Sequence, residues 1–417
     1  MSGTGTTASG VVENDLCIGC GYCASLSGIG MALSAQGFLE PDAAMHQSPS
    51  DDALVAAACP GRNGREVVVA GQGPAGATDD YMWGRHHEVA TGYSTDAQVR
   101  QLGSSGGALT GLARWLIASG RVERVLVTTY DPAYAIGTRS GATSEATVIL
   151  DGAGSKYCPA APLVALSDLR AEGDTGRVAV IGRPCDVATL RRAIAAGDPV
   201  GARVEVLLSF FCAGTPSDTG NRELLRDLGV DDPAQVTRFR HRGNGWPGDT
   251  RADLADGDAR TCTYNESWGK ILRRHVHSLC KICPDGIGEQ ADIVAADAWY
   301  GDDDGYPTFT EADGRSLIIA RTPLGQELLN AARTDGAIAT EPLDIREIDQ
   351  MQPGQINRRR QLRIRIFAYR LMGHAVPEYN SAALAGYQRD LSLKARARIL
   401  VATLRRLIVL RRKASKG

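Results

Sequence analysis

The sequence predicts an α/β (α+β) chain: a mixed-sheet domain, preceded by a small cysteine-rich module and followed by a basic helical tail. Three observations predict it. Short β-type apolar runs alternate with helical periodicity from about residue 98 to residue 333, the pattern of a sheet covered by helices. Cys17, Cys20 and Cys23 stand at C-x2-C-x2-C spacing near the start, with Cys59-Pro60 further on. Ten Lys/Arg against one Asp put residues 389–417 at +9, so residues 1–388 carry −11 of the net −2.

A length of 417 residues accommodates two or three domains, here drawn as 1–80, 81–345 and 346–417. Aromatic residues make up 6% of the chain, so the core rests on Ala, Val and Leu. Ten cysteines are too few for a disulfide scaffold and cluster at ligand spacing, which predicts metal binding in a reducing, cytoplasmic setting. Residues 1–12 are rich in Gly, Ser and Thr, without the basic start and apolar stretch of a secretory signal. No run approaches the roughly 20 apolar residues of a membrane span. No nucleic-acid-binding motif is present, which argues against that partner class.

Residues 13–65 read as a ferredoxin-like module. Three closely spaced thiolates can ligate three irons of one cubane, with a remote Cys-Pro closing the fourth corner. Gly19 and Gly21 let the backbone wrap close to inorganic sulfide. Zinc usually draws its four ligands as two C-x2–4-C pairs, which this spacing fits less well; disulfides or chance spacing are the remaining readings. Residues 37–41 form a short strand entering a turn. The glycine-rich stretch 61–76, with Val67-Val68-Val69-Ala70 inside it, reads with the residues up to 80 as a linker.

In the main domain, residues 98–119 are helical through Leu109, Leu112, Leu116 and Ile117, with Gly103-Ser104-Ser105-Gly106-Gly107 at the entry. Strands follow at 122–129, 178–181 and 204–211, and helices at 187–195 and 221–228. Residues 236–303 read as irregular. A strand at 316–321 and a helix at 323–333 complete the domain; residues 345–372 and 384–413 read as basic helices. The pair His86-His87 has no partner at ligand spacing and reads as surface.

A second group of cysteines needs the fold to unite it. Cys185 and Cys212 end adjacent predicted strands, and Cys280 and Cys283 form a C-x2-C pair. On spacing alone, a second cluster and a pair of buried core thiols are equally good readings.

Here the residues carry a resemblance. Gly182-Arg183-Pro184-Cys185-Asp186-Val187-Ala188-Thr189-Leu190-Arg191 resembles the G-x-P-C-Q-x-A-x-L-R segment of the coenzyme F420 hydrogenase/dehydrogenase beta-subunit family, with Asp186 in place of glutamine. Cys212-Ala213-Gly214-Thr215-Pro216-Ser217 is similar to its C-x-G-x-P-S. Cys280-Lys281-Ile282-Cys283-Pro284-Asp285, with Ala291-Asp292-Ile293 and Asp297-Ala298-Trp299, is similar to its C-x-x-C-x-D…A-D-I…D-x-W block. Gly106-Gly107 and Ser155-Lys156-Tyr157 match its S-x-G-G and S/T-K-Y. The resemblance spans residues 97–376, with the motifs in the family's order. With its N-terminal module, the chain looks like the longer members, among them 7-hydroxymethyl chlorophyll a reductase.

The resemblance implies one FAD and a 4Fe-4S cluster held by Cys185, Cys212, Cys280 and Cys283. The cluster of Cys17, Cys20, Cys23 and Cys59 would make a second. It also gives Ser105, Gly106, Gly107, Lys156 and Tyr157 a place at the flavin. A glycine pair opening a helix offers free N–H donors, and a lysine can stabilise reduced flavin. Asn244 and Trp246 lie in a glycine-rich loop that could cover it. His241, His275 and His277 are the candidate proton donors. No G-x-G-x-x-G opens a Rossmann unit, which disfavours NAD(P)H as donor.

The expected function is an iron–sulfur flavoprotein oxidoreductase taking electrons from a ferredoxin-type donor to a small organic substrate. The alternatives are a coenzyme F420-reducing or -oxidising beta subunit of a larger complex, and an electron-transfer adaptor. The tail, with Leu400, Leu404, Leu407 and Ile408 beside Arg398, Arg405, Arg406, Arg411 and Arg412, could meet an anionic membrane surface or an acidic partner, or simply close the domain. A homo-oligomer is a further candidate assembly.

Overall fold

The computed structural model describes residues 8–42, 48–62, 76–171, 175–301, 308, 310–377, 379, 381–388 and 391–414. Most of the glycine-rich stretch 61–76, including Val67-Val68-Val69-Ala70, lies outside them. The main sheet has eight strands: β1 (Glu88–Ser94), β2 (Arg124–Asp131), β3 (Tyr134–Thr143), β4 (Val178–Gly182), β5 (Val204–Phe210), β6 (Ile293–Asp297), β7 (Ser316–Ala320) and β8 (Ile338–Pro342). Their order is β8-β1-β7-β6-β5-β4-β2-β3. The centre β6-β5-β4-β2 is parallel; the flanking pairs are antiparallel.

Both faces of that centre are covered, which is why its strands carry apolar runs such as Val178–Ile181 and Ile293–Ala296. Val125, Val127, Ala179, Val206, Leu208 and Ile293 point to one core. The intervening Leu126, Val178, Val180, Leu207 and Val294 point to the other, as the two-residue period of a strand requires.

The second core also takes in the N-terminal segment. Tyr22 sits in a short helix, Tyr22–Ser27, and Val55 and Ala58 in helix α1 (Pro49–Ala58); all three pack among the sheet residues. Ser48 caps α1 by accepting the Asp51 N–H at 3.2 Å. The expected strand near residues 37–41 is Leu39–Pro41, paired antiparallel with Met31–Leu33.

Helix α2 (Ala108–Ala118) and helix α4 (Pro323–Thr334) cover the first face, and α3 (Pro184–Ala195) the second. The single helix expected over 98–119 is two, Ala97–Leu102 and α2. The glycine-rich loop breaks it, because Gly107 takes φ +72° and restarts the chain in a new direction. Residues 236–303 are less irregular than expected. They hold a three-stranded antiparallel sheet, Val236–Arg240, Thr250–Leu254 and Ala259–Cys262. A register shift between Val236 and Arg238 puts two residues between the inward Val236 and Phe239 and hides the alternation.

Residues 345–372 are helical but broken at Gln352, before Pro353 opens α5 (Pro353–Leu371). The tail forms α6 (Leu393–Ala414). Leu407 is buried, and Leu400 and Leu404 pack against the core shared with Leu16, Leu279 and Tyr369, so this apolar stripe closes the domain. Val401, Ile408 and Val409 face outward. His86, expected at the surface, is buried, with Nδ1 3.2 Å from the Gly84 carbonyl.

Candidate functional site

The parallel strands β4, β5 and β6 end on the same side of the sheet, and the chemistry-bearing residues gather there. Cys185 lies in the first turn of α3, directly after β4. Cys212 follows β5. Cys280 and Cys283 lie on the turn Leu279–Ile282 and just after it. These four line one small cavity of about 30 Å³. Cys17, Cys20, Cys23 and Cys59 line another of about 30 Å³, beneath α1 and beside α3. Ile18 lines both. Each expected cysteine set is therefore brought together.

Within the sets the thiols feel one another. Burial, then the neighbouring Cys59 and Cys23, pushes Cys17 up to about 12. Burial likewise pushes Cys283 up to about 12, with Cys280 and Cys212 adding to it. Among the described residues no group of three or more His, Cys, Asp or Glu converges on a point that a single metal ion could take. The backbone around the second set is braced from outside: Arg358 donates to the Cys212 carbonyl and, at 3.0 Å, to the Cys280 carbonyl.

A cleft of about 320 Å³ opens beside the second cysteine cavity. Arg183, Cys212, Gly214 and Thr215 line both. One wall is the start of α2, where Gly107 gives no side-chain cap and the first turn holds no acidic residue. Ala108, Leu109 and Thr110 line the cleft there, so their N–H groups, which have no partner within the helix, are offered to it. Ser105 Oγ lies 2.9 Å from Ser316 Oγ, which accepts the Gly106 N–H at 3.0 Å. A Cβ at Gly106 would lie 2.8 Å from the Ser316 nitrogen, which is why that position is bare.

Lys156 and Tyr157 line the same cleft. Lys156 Nζ donates to the Gly152 carbonyl at 2.8 Å and to those of Ala153 and Gly154 at 3.3 Å. Burial, reinforced by Arg240, pushes its pKa down to about 7. Cys158 is buried beside them, and desolvation pushes its thiol up to about 12. Cys262 lies apart, on the small sheet.

Part of the lining is aromatic and cationic: Tyr157, Tyr264, Trp268, Trp299 and Arg242, which also donates to the Ser104 carbonyl of the glycine-rich loop. The buried Arg242 forms a bidentate pair with Asp297, 2.9 Å at each oxygen. Trp246 is 2% exposed, stacks on Trp299 at 4.7 Å and donates its indole N–H to Asp297 at 2.9 Å. It anchors that part of the lining from behind. Asn244, at φ +60°, sits in the same turn and, like Trp246, is not among the residues lining the cleft.

The three histidines differ. His241 is fully buried. Its Nδ1 accepts the Tyr157 N–H at 3.2 Å, so the proton sits on Nε2 and is donated to Asn221 Oδ1 at 2.7 Å. Burial, with Lys156 nearby, pushes its pKa down to about 3; it is a neutral strut. His275 pairs with Glu223 at 2.9 Å, outside the cleft. His277 lines the second cysteine cavity and packs edge-on against Phe38 at 4.4 Å, with Nε2 3.4 Å from Asp15.

Arg242, Arg358, Tyr264 and Trp268 carry no spacing signal, so residue pattern alone does not find them. Asp297 is present in the D-x-W motif, without its role.

This geometry defines an α/β protein with a ligand cleft at the carboxyl ends of a mixed sheet and two cysteine-lined cavities beside it. The family "Coenzyme F420 hydrogenase/dehydrogenase, beta subunit" matches through its N-terminal part at residues 89–167 and its C-terminal part at 175–346. The chain is homologous to that family, whose enzymes give it a redox role. The coenzyme F420 hydrogenase subunit beta of Methanothermobacter thermautotrophicus is 23% identical over 282 residues, 65% of this chain and 88% of that one. The coenzyme F420-dependent sulfite reductase of Methanocaldococcus jannaschii is 25% identical over 276 residues, 61% of this chain but 38% of the reductase. The beta subunit of F420-dependent formate dehydrogenase 1 of Methanococcus maripaludis is 26% identical over 255 residues, 60% of each chain. A chain in the structure of the F420-reducing [NiFe] hydrogenase complex from Methanosarcina barkeri shares the fold, with TM-score 0.51 and 19% identity over 68% of this chain and 95% of that one. Cys17, Cys20, Cys23 and Cys59 lie before both matched spans.

Proposed function

We propose that this chain is an iron–sulfur flavoprotein that exchanges electrons with a deazaflavin of the coenzyme F420 type, as the beta subunit of a larger oxidoreductase. FAD would occupy the cleft and a 4Fe-4S cluster each cysteine cavity. The observation that carries the reading is continuity. The N-terminal cavity shares Ile18 with the second, and the second shares Cys212 and Arg183 with the cleft. Four thiols around one small void are the donor set that a 4Fe-4S core takes. F420 in the printed names of the relatives supports the electron partner.

When bound, the clusters supply one-electron steps and the flavin converts them to hydride transfer. The chain's own residues do the rest. The free N–H groups of α2 receive an anionic group such as a pyrophosphate. Lys156 holds or releases a proton at Nζ near neutral pH. The aromatic wall excludes water and offers flat faces to a planar ring system, with Arg242 fixed in place by Asp297.

The test is anaerobic purification followed by mixing with reduced F420. The protein should carry about eight Fe and one FAD on the two-cubane count, and the absorbance of oxidised F420 should return as electrons enter the protein. Flavin-loaded protein that ignores F420 but accepts electrons from reduced ferredoxin would favour a second reading: a ferredoxin-dependent reductase of another small organic substrate. One observation favours that reading, namely the N-terminal cysteine set outside the spans shared with the family.

Among the described residues no helix is long and apolar enough to cross a membrane. The outward side of α6 carries Lys394, Arg398 and Arg405, a face suited to an acidic protein partner.

A further inference from the structure

Resting on the reading above, we propose that Asp15 is a positioning residue of the electron path. Its carboxylate joins the loop of the N-terminal cysteine set to the turn of the second set, and so holds the two clusters at the separation across which electrons pass.

Asp15 stands two residues before Cys17, and Ser278 two residues before Cys280. The Ser278 hydroxyl donates to Asp15 Oδ2 at 2.5 Å, and His277 Nε2 lies 3.4 Å from Oδ1. One carboxylate therefore meets two consecutive residues of the segment that leads into Cys280. Both partners are themselves held. The Leu279 N–H donates to His277 Nδ1 at 3.1 Å, which leaves the ring proton on Nε2, the nitrogen beside Asp15. The Ser278 carbonyl accepts the Tyr369 hydroxyl of α5 at 3.3 Å. The contact lies where the cysteine cavities adjoin. Ile18, which follows Cys17, lines both of them, and Phe38 meets His277 at the edge of the second.

The backbone gives an independent reason to look for a role here. Asp15 takes φ +56°, the left-handed region that side chains with a Cβ enter at a cost. The turn itself has a local purpose, because it closes the short helix Ala8–Glu13. The Asp15 N–H bonds to the Val12 carbonyl at 3.0 Å and the Leu16 N–H to the Val11 carbonyl at 2.9 Å. Glycine is the usual residue at such a helix end. The turn therefore does not call for a carboxylate, whereas Ser278 and His277 do. In the step it serves, one electron leaves the N-terminal cluster as one enters the second. No bond forms or breaks and no proton moves. The rate of such a step falls steeply with distance, so a loop free to swing from the turn would slow it.

The experiment uses the iron- and flavin-loaded protein, reduced with dithionite and read by electron paramagnetic resonance. Two reduced clusters held close together split and broaden each other's signals, and the wild type should show this coupling. Asp15→Gly suits the left-handed turn but lacks the carboxylate. It should keep about eight Fe per chain on the two-cubane count and lose most of the splitting. Amides of residues 11–18 should exchange about tenfold faster, as expected for one lost hydrogen bond to a charged group. Ser278→Ala should act in the same way from the other side, and the double variant should do no more than either single. Asp15→Asn keeps an acceptor without the charge and should retain the splitting. Unchanged coupling in Asp15→Gly would overturn the proposal. So would additive losses in the double variant, or loss of coupling in Asp15→Asn equal to that in Asp15→Gly. Wild-type protein with both clusters but no coupling would overturn this inference alone. Wild-type protein without clusters would overturn the proposed function as well. If Asp15→Gly fails to fold, Ser278→Ala decides the matter.

Discussion

The two cysteine cavities hold four thiols each by opposite means. The N-terminal one is local. Cys17 and Cys20 lie on one loop, in which Gly19 and Gly21 take φ +66° and +81°, and Cys23 stands in the first turn of the short helix that follows it. The fourth, Cys59, ends α1. The polar bonds that fasten that segment to the main domain include Tyr22 to Asp198 at 2.7 Å, the Leu163 N–H to the Cys20 carbonyl at 2.9 Å, the Asp218 N–H to the Gly37 carbonyl at 2.8 Å, Arg192 to the Ala58 carbonyl at 3.1 Å and the Ser278 hydroxyl to Asp15 at 2.5 Å. The second cavity is built from two strand ends and a distant turn, so it exists only if the sheet does. The local cavity can therefore be lost without the sheet, and the second cannot be separated from it.

The largest effect should come from the cysteines. Cys280→Ser should remove the second cluster, halve the iron to about four per chain on the cubane count, and cut the N-terminal donor off from the flavin. Cys17→Ser should also cost about half the iron but leave exchange between F420 and the flavin intact. Iron and sulfide analysis with visible absorbance reads both. Loss of all iron in Cys17→Ser would break the comparison, because the two cavities would then form one unit.

Next is Asp297→Asn at the cleft, whose wall depends on the same strand ends. It leaves the Arg242 guanidinium, 2% exposed, without its counter-charge. Breaking a buried pair from one side costs about 3–5 kcal/mol. Urea denaturation should show that loss, together with a change in indole emission because Trp246 donates to the same carboxylate. An unmoved urea midpoint would mean that the wall stands without the pair.

A smaller loss is expected at the docking contact. Gly21 takes a left-handed conformation, and a Cβ there would run into Val164. Gly21→Ala should cost about 1–3 kcal/mol. The loss should concentrate in residues 8–62, giving faster amide exchange there and unchanged exchange in β4–β6. Uniform loosening would show that the N-terminal segment and the sheet unfold together.

The same contrast explains what could be read from residues alone. C-x2-C-x2-C is a short-range signal, and the covered central strands betray themselves as apolar runs such as Val178-Ala179-Val180-Ile181. Strands β1, β3 and β8 carry mixed patterns, because their partners decide which face is buried. The bulge near Val236 erased the period of the small sheet. Around the cleft, Arg242 and Tyr264 reach the site through tertiary packing, which leaves no periodic trace. His241 illustrates a related point: it is polar and central, yet its hydrogen bonds hold the Tyr157 backbone and Asn221.

The smallest effect is a slope at Lys156. Its folded pKa is about 7 against 10.5 for an unperturbed lysine. Between those values the unfolded chain holds a proton that the folded chain has released. Unfolding then takes up a proton, so stability rises with pH across this window, by at most about 1.4 kcal/mol per pH unit. Below about pH 7 both states are protonated and the slope vanishes. Buried thiols such as Cys158, pushed up to about 12, pull the other way once the unfolded thiols ionise, so the difference between wild type and Lys156→Met isolates the lysine. That difference should grow as pH is lowered from about 8.5 to about 7, read as urea midpoints, with the methionine variant the flatter. An anion in the cleft would return the proton to Nζ, so added FAD should shrink the difference. A slope indifferent to FAD would place the lysine's charge out of reach of whatever the cleft binds.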